Sequence, residues 1–82
     1  MRVAVEMPKF AADAEDGRIE RWLKEVGDRV ERGEAIVEIE TDKALLELEA
    51  TAAGVLVEIL HEADAEVPVG EPIAYIETQD EA

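Results

Sequence analysis

The sequence predicts an all-β domain whose two antiparallel sheets are related by approximate two-fold symmetry. Two observations carry that expectation. Short runs rich in Val, Ile and Leu alternate with turn signals along the whole chain. The second half of the chain also repeats the first. Shifting Gly17 onto Gly54 lays Gly17-Arg-Ile-Glu-Arg-Trp-Leu23 on Gly54-Val-Leu-Val-Glu-Ile-Leu60, and Asp28-Arg-Val30 on Ala65-Glu-Val67. At the same offset Gly33-Glu-Ala-Ile-Val-Glu-Ile-Glu-Thr41 falls on Gly70-Glu-Pro-Ile-Ala-Tyr-Ile-Glu-Thr78. Two related halves, neither able to bury its own apolar face, are expected to pack against each other.

The elements follow in order. Val3–Met7 reads as a first strand closed by Pro8, and Ala11–Gly17 as a polar loop. Arg18–Lys24 is harder. Ile19, Trp22, Leu23 and Val26 have the spacing of an amphipathic helix, and periodicity alone makes residues 14–26 helical. The repeat decides against it, because the equivalent stretch of the second half is rich in β-branched residues and leads to Pro72. Ala35–Thr41 and Ala44–Ala50 flank Asp42-Lys43, and Thr51–Gly54 is a turn. Val55–Leu60, a loop at His61–Ala65, a turn at Pro68–Pro72 and a last strand at Ile73–Thr78 complete the domain. Residues 1–78 are thus read as one domain and the polar residues 79–82 as the start of a linker.

Composition excludes several functions. With 22 acidic and 8 basic residues the net charge is −14 at pH 7. Such a surface repels nucleic acid and anionic lipid, so neither is expected as a partner, and it keeps the isolated domain monomeric. The sequence has no Ser, Asn or Cys and one His, His61, so neither a Ser or Cys catalytic set nor a His/Cys zinc site can be assembled. No run approaches the roughly 20 apolar residues of a membrane span. The chain starts on strand-like sequence with no leader pattern, and a cytoplasmic location is expected.

The hairpin around Asp42-Lys43 is the one candidate site. If these are the central turn residues, Thr41 pairs with Ala44, Ile39 with Leu46 and Val37 with Leu48. One face then reads Val37, Ile39, Thr41, Ala44, Leu46, Leu48, Ala50 and is expected to bury. The other reads Ile36, Glu38, Glu40, Leu45, Glu47, Glu49 and is expected to face water. Lys43 stands at the tip of a stiff stem. Glu38 and Glu47 oppose each other, a repulsive pair that stability alone would not choose. By geometry alone Lys43 reads first as an ordinary solvated turn lysine.

Residues Glu38-Ile-Glu-Thr-Asp-Lys-Ala44 resemble the lipoylation motif of lipoyl domains. Met7-Pro8, Gly17–Val30, Gly33-Glu34, Gly54, Val67-Pro-Val-Gly70 and Ile73-Ala74 resemble further motifs of that family, in the same order, so the resemblance covers nearly the whole chain. It implies a flattened barrel-sandwich of two four-stranded sheets. It implies lipoate joined through an amide to Lys43, with Glu40, Thr41, Asp42 and Ala44 serving recognition. A carrier of this kind is expected to be non-catalytic by itself. It takes an acyl group from a thiamine-dependent 2-oxo acid decarboxylase and passes it to coenzyme A at an acyltransferase core. The remaining expected partners are dihydrolipoamide dehydrogenase and the lipoyl ligase or transferase that loads the domain. Biotinyl domains share the fold but carry Met-Lys-Met at the tip, so Asp42-Lys43-Ala44 favours lipoate. An unmodified structural module of the same fold generally lacks the Asp-Lys tip. Three features depart from the family pattern. Asp64 stands where Gly is usual, which leaves the shape of that turn open. Phe10 stands where Leu is common, and the loop at Ala11–Asp16 is acidic and Ala-rich. Trp22 is read as core, and His61 as a surface loop residue.

Overall fold

The computed structural model describes residues 1–78, so the expected linker at 79–82 lies outside the described residues. Eight strands form: β1 (Arg2–Glu6), β2 (Asp16–Trp22), β3 (Arg29–Val30), β4 (Ala35–Glu40), β5 (Leu45–Glu49), β6 (Gly54–Ile59), β7 (Glu66–Pro68) and β8 (Pro72–Glu77). They make two four-stranded antiparallel sheets, ordered β1-β8-β6-β3 and β5-β4-β2-β7. No helix forms among the described residues, and the helix-like spacing at Ile19–Val26 is strand followed by turn. Six of these strands coincide with the runs expected from the sequence. The other two, β3 and β7, of two and three residues, are too short to show a period of their own.

The repeat accounts for the topology. Under the shift that lays Gly17 on Gly54, β2, β3 and β4 become β6, β7 and β8, and the order of one sheet turns into that of the other. β3 leaves its own half to edge the sheet of β6 and β8, while β7 crosses the other way. Neither half can therefore close alone. Main-chain bonds repeat as well. Leu23 N–H donates to Ile36 O at 2.8 Å and Leu60 N–H to Ile73 O at 2.8 Å. Gly27 N–H donates to Leu56 O and Asp64 N–H to Ile19 O, both at 2.7 Å. Side chains join in: Lys24 Nζ lies 2.8 Å from Glu34 Oε2, and His61 Nε2 lies 2.8 Å from Glu71 Oε2.

The core between the sheets uses the repeated positions. Ile19 and Leu56, Val30 and Val67, Ile36 and Ile73, Val37 and Ala74, and Ile39 and Ile76 are all fully buried. Trp22 is half-buried against this cluster and donates its indole N–H to His61 O at 2.8 Å. His61 is not a free loop residue, since its ring meets Glu71 and its side chain is 29% exposed.

Two expectations change, and the open question of the turn at Asp64 is answered. Ile36, placed with the water-facing row, is completely buried. The ladder slips between Ala35 and Val37, leaving Ile36 without a partner on β5 so that it and Val37 both turn inward. The equivalent slip in the other sheet inserts Ile73. Ala44, expected on the buried face, is exposed: it lies in the turn, past the last ladder pair, Glu40 and Leu45. Asp64 does not change its turn. It takes φ 76° beside φ 100° at Gly27 and makes the same main-chain bond, a conformation that Asp tolerates better than most residues.

Candidate functional site

β4 and β5 build the hairpin in the expected register, with Val37 opposite Leu48, Ile39 opposite Leu46 and Glu38 opposite Glu47. The like charges of the last pair are compensated: Arg21 Nη2 lies 3.4 Å from Glu38 Oε2. Buried Val37 and Ile39 fasten the stem to the core. The stem thus holds the turn at a fixed angle to the sandwich.

Asp42-Lys43 lacks the glycine that two-residue hairpin turns usually need, and Thr41 supplies what the main chain does not. Thr41 N–H donates to Ala44 O at 2.9 Å. The Thr41 hydroxyl accepts from Lys43 N–H at 3.2 Å and from Ala44 N–H at 3.0 Å, and donates to Ala44 O at 2.8 Å. One donor and two acceptor sites exhaust the capacity of a hydroxyl. Thr41, assigned to recognition by resemblance, is here the clamp of the turn.

Asp42, Lys43 and Ala44 are exposed. Among the described residues the Lys43 ammonium makes no ion pair, in contrast to Lys24, which is engaged by Glu34. Lys9 is exposed too, but it follows Pro8 in a loop rather than capping a hairpin. Glu40 anchors the base of the hairpin through Arg18, its cross-strand neighbour on β2, whose guanidinium also meets Glu20 at 3.1 Å and Asp64 at 2.7 Å. The hydrogen bond to Glu40 and the surrounding carboxylates raise the Arg18 pKa further above its ordinary value. Arg18 escaped the sequence reading. Its only signal is that the register of β2 and β4 sets it beside Glu40, and that register is not local information.

Two depressions flank Lys43. A groove of about 710 Å³ separates the hairpin from the loop at Phe10–Asp16, with Phe10, Ala14 and Leu46 among its apolar lining. A smaller hollow of about 370 Å³ is bounded by Glu20, Glu40 and Leu45. Leu45 and Leu46 serve different hollows because successive strand residues face opposite ways. Phe10 also lies against Gly17, where an added methyl group would meet its ring carbon at 3.2 Å. The acidic first loop thereby stands across the groove from Lys43.

Comparison with known proteins finds relatives over nearly the whole chain. The family model described as "Biotin-requiring enzyme" matches residues 3–76. The chain is similar to the dihydrolipoyllysine-residue succinyltransferase component of the 2-oxoglutarate dehydrogenase complex of Staphylococcus saprophyticus. The two are 47% identical over 72 residues, covering 88% of this chain and 17% of that protein. It is 44% identical over 81 residues to the dihydrolipoyllysine-residue acetyltransferase component of the pyruvate dehydrogenase complex of Corynebacterium glutamicum, covering 99% of this chain and 12% of that protein. The chain therefore spans under a fifth of the length of these relatives. Among solved structures, the lipoyl domain of the 2-oxoglutarate dehydrogenase complex of Azotobacter vinelandii superposes with a TM-score of 0.77 at 36% identity, covering 93% of this chain and 96% of that one. The urea carboxylase of Kluyveromyces lactis superposes with a TM-score of 0.80 at 27% identity, covering 94% of this chain and 6% of that one.

Proposed function

Because this chain belongs to the biotin/lipoyl domain family, as a lipoyl carrier domain, we propose that Lys43 is its attachment residue and lipoate its cofactor. The observation that carries the assignment is an exposed amine, without an ion pair among the described residues, at the tip of a hairpin whose turn is clamped by Thr41. The residues present suit the group. An amine bound to no carboxylate among the described residues loses no ion pair there when amide formation cancels its charge. The exposed neighbours Asp42 and Ala44 leave it open to an enzyme's active site.

When bound, the lipoyl group supplies a cyclic disulfide that can accept an acyl group reductively and be restored by thiol–disulfide exchange. The chain's own residues supply presentation. β4 and β5 hold the attachment point rigid, and the acidic loop across the groove meets whichever enzyme approaches. Tethering makes each transfer effectively intramolecular. We place the chain in a 2-oxo acid dehydrogenase complex, by the names of its relatives. There it serves a thiamine-dependent decarboxylase, an acyltransferase core and dihydrolipoamide dehydrogenase, as a carrier and not itself a catalyst. Glu40, Thr41, Asp42 and Ala44 would form the surface those enzymes and the lipoyl ligase or transferase meet, with Glu40 and Thr41 acting through the shape they impose on the turn.

Incubating the chain with lipoate, MgATP and a lipoate–protein ligase tests the assignment by intact mass and peptide mapping. One lipoyl group is expected, on Lys43, and Lys43→Gln should fold normally and gain none. An adduct mapped to Lys9 or Lys24 in that variant would sink the assignment. Loading by a biotin ligase in preference to the lipoyl ligase would replace lipoate with biotin.

A further inference from the structure

We propose that Leu45 is a specificity-determining contact for the enzyme that attaches the lipoyl group, an apolar anchor which that enzyme covers as it takes in the Lys43 amine. The inference rests on the reading of Lys43 as attachment residue and adds to it the chemistry of the loading partner.

Leu45 is 55% exposed, the one large apolar side chain standing out on this hairpin. Its row is otherwise acidic. It pairs across the strands with Glu40, and Glu38 pairs with Glu47 beside it. Folding leaves more than half of Leu45 in water, and a strand position so exposed is served as well by Thr. Single exposed apolar residues are common on protein surfaces. What sets this one apart is its place. Together with Glu20, Glu40 and Asp42 it bounds the hollow beside Lys43.

Reach decides which partner covers it. A lysine side chain extends roughly 6 Å from its Cα, and Leu45 lies two residues along a strand that advances roughly 3.3 Å per residue. An enzyme must bring Nζ to a reactive carbonyl within its own active site, so it must press onto the turn to about the depth at which Leu45 lies. Enzymes acting on the dithiolane meet the far end of a much longer arm and can stand off. In the loading step the neutral amine attacks the carbonyl of a lipoyl-adenylate. The N–C bond forms, the C–O bond to AMP breaks, AMP departs and the amine gives up a proton to solvent. The matching surface of the loading enzyme is an apolar socket rimmed by basic residues, complementary to Leu45 among Glu20, Glu40 and Asp42.

The experiment compares the chain with Leu45→Thr and Leu45→Met, using lipoate, MgATP and a lipoate–protein ligase. Initial rates are read by intact mass across a range of domain concentrations. Leu45→Thr should raise KM about tenfold, the order expected for losing one buried leucine side chain. It should leave kcat within about twofold and the unfolding midpoint unchanged, and Leu45→Met should restore the parent KM. A KM for Leu45→Thr equal to that of the parent overturns the proposal. So does a loss shared by Leu45→Met and accompanied by a lower unfolding midpoint. If the parent itself gains no lipoyl mass, the reading of Lys43 fails instead, and the anchor with it.

Discussion

Replacing Thr41 by Val removes one hydroxyl and keeps the branched shape that a strand end favours. The hydroxyl accepts the N–H groups of Lys43 and Ala44 and donates to Ala44 O. The main-chain bond from Thr41 N–H to Ala44 O, at 2.9 Å, survives the change. The turn is exposed, so water takes over both orphaned N–H groups and each lost bond is worth the low end of its range, about 0.5 kcal/mol. Three such bonds, less a few tenths returned by the better strand propensity of Val, give a loss of about 1 kcal/mol. In a domain of this size that lowers the thermal midpoint by about 4–8 °C. Urea unfolding with parallel amide exchange measures it. Faster exchange is expected at Lys43 and Ala44 and unchanged exchange at the buried strand residues Ile39 and Ile76. Thr41→Ser, which keeps the hydroxyl, should retain most of the protection at the turn. Unchanged stability together with unchanged exchange at Lys43 and Ala44 in Thr41→Val would show that the main chain alone holds the turn.

Gly54→Ala and Gly17→Ala occupy equivalent positions and should differ. A methyl group at Gly54 would lie 2.2 Å from Glu77 O, which is main chain and cannot yield, whereas at Gly17 it meets Met7 Sδ at 2.9 Å and other movable side-chain atoms. We expect Gly54→Ala to cost about 3 kcal/mol or more and Gly17→Ala about 1–2 in urea unfolding; equal losses would refute the distinction. Lys24 and the Glu31 N–H hold the Glu34 carboxyl below its ordinary value of 4.5. Glu34 therefore stabilises the fold above that value and loses its contribution as pH falls through the lower folded-state value. Lys24→Met should accordingly destabilise the domain near neutrality and much less once Glu34 is protonated, and a loss independent of pH would exclude the ion pair as its cause. At Asp64, with φ 76°, substitution by Gly should change stability by under about 0.5 kcal/mol, since relief of strain is offset by a freer unfolded chain. Substitution by Val should cost about 1–2 kcal/mol. A large loss in Asp64→Gly would mean that the ion pair with Arg18, not the backbone angle, governs this turn.

The amino-acid sequence by itself determined the two-fold plan, the register of the β4–β5 hairpin and the place of Lys43. Each is written in local alternation or in the repeat, and the repeat overruled the helical spacing of Ile19, Trp22, Leu23 and Val26. Only the tertiary structure decided the rest. Ile36 buries because the ladder slips beside it, a slip that the inward demand of two adjacent apolar residues selects once the opposing sheet is in place. Ala44 stays exposed because it lies in the turn, past the last pair of the ladder. Arg18 joins Glu40 and Asp64 because residues far apart in sequence meet where β2 crosses between them. Thr41 clamps the turn through a hydroxyl whose partners depend on the three-dimensional course of four residues. A period of two along a strand says which side chains share a face. It cannot say where the opposing sheet ends or where a strand gains a residue, because those are set by contacts between halves that periodicity does not encode.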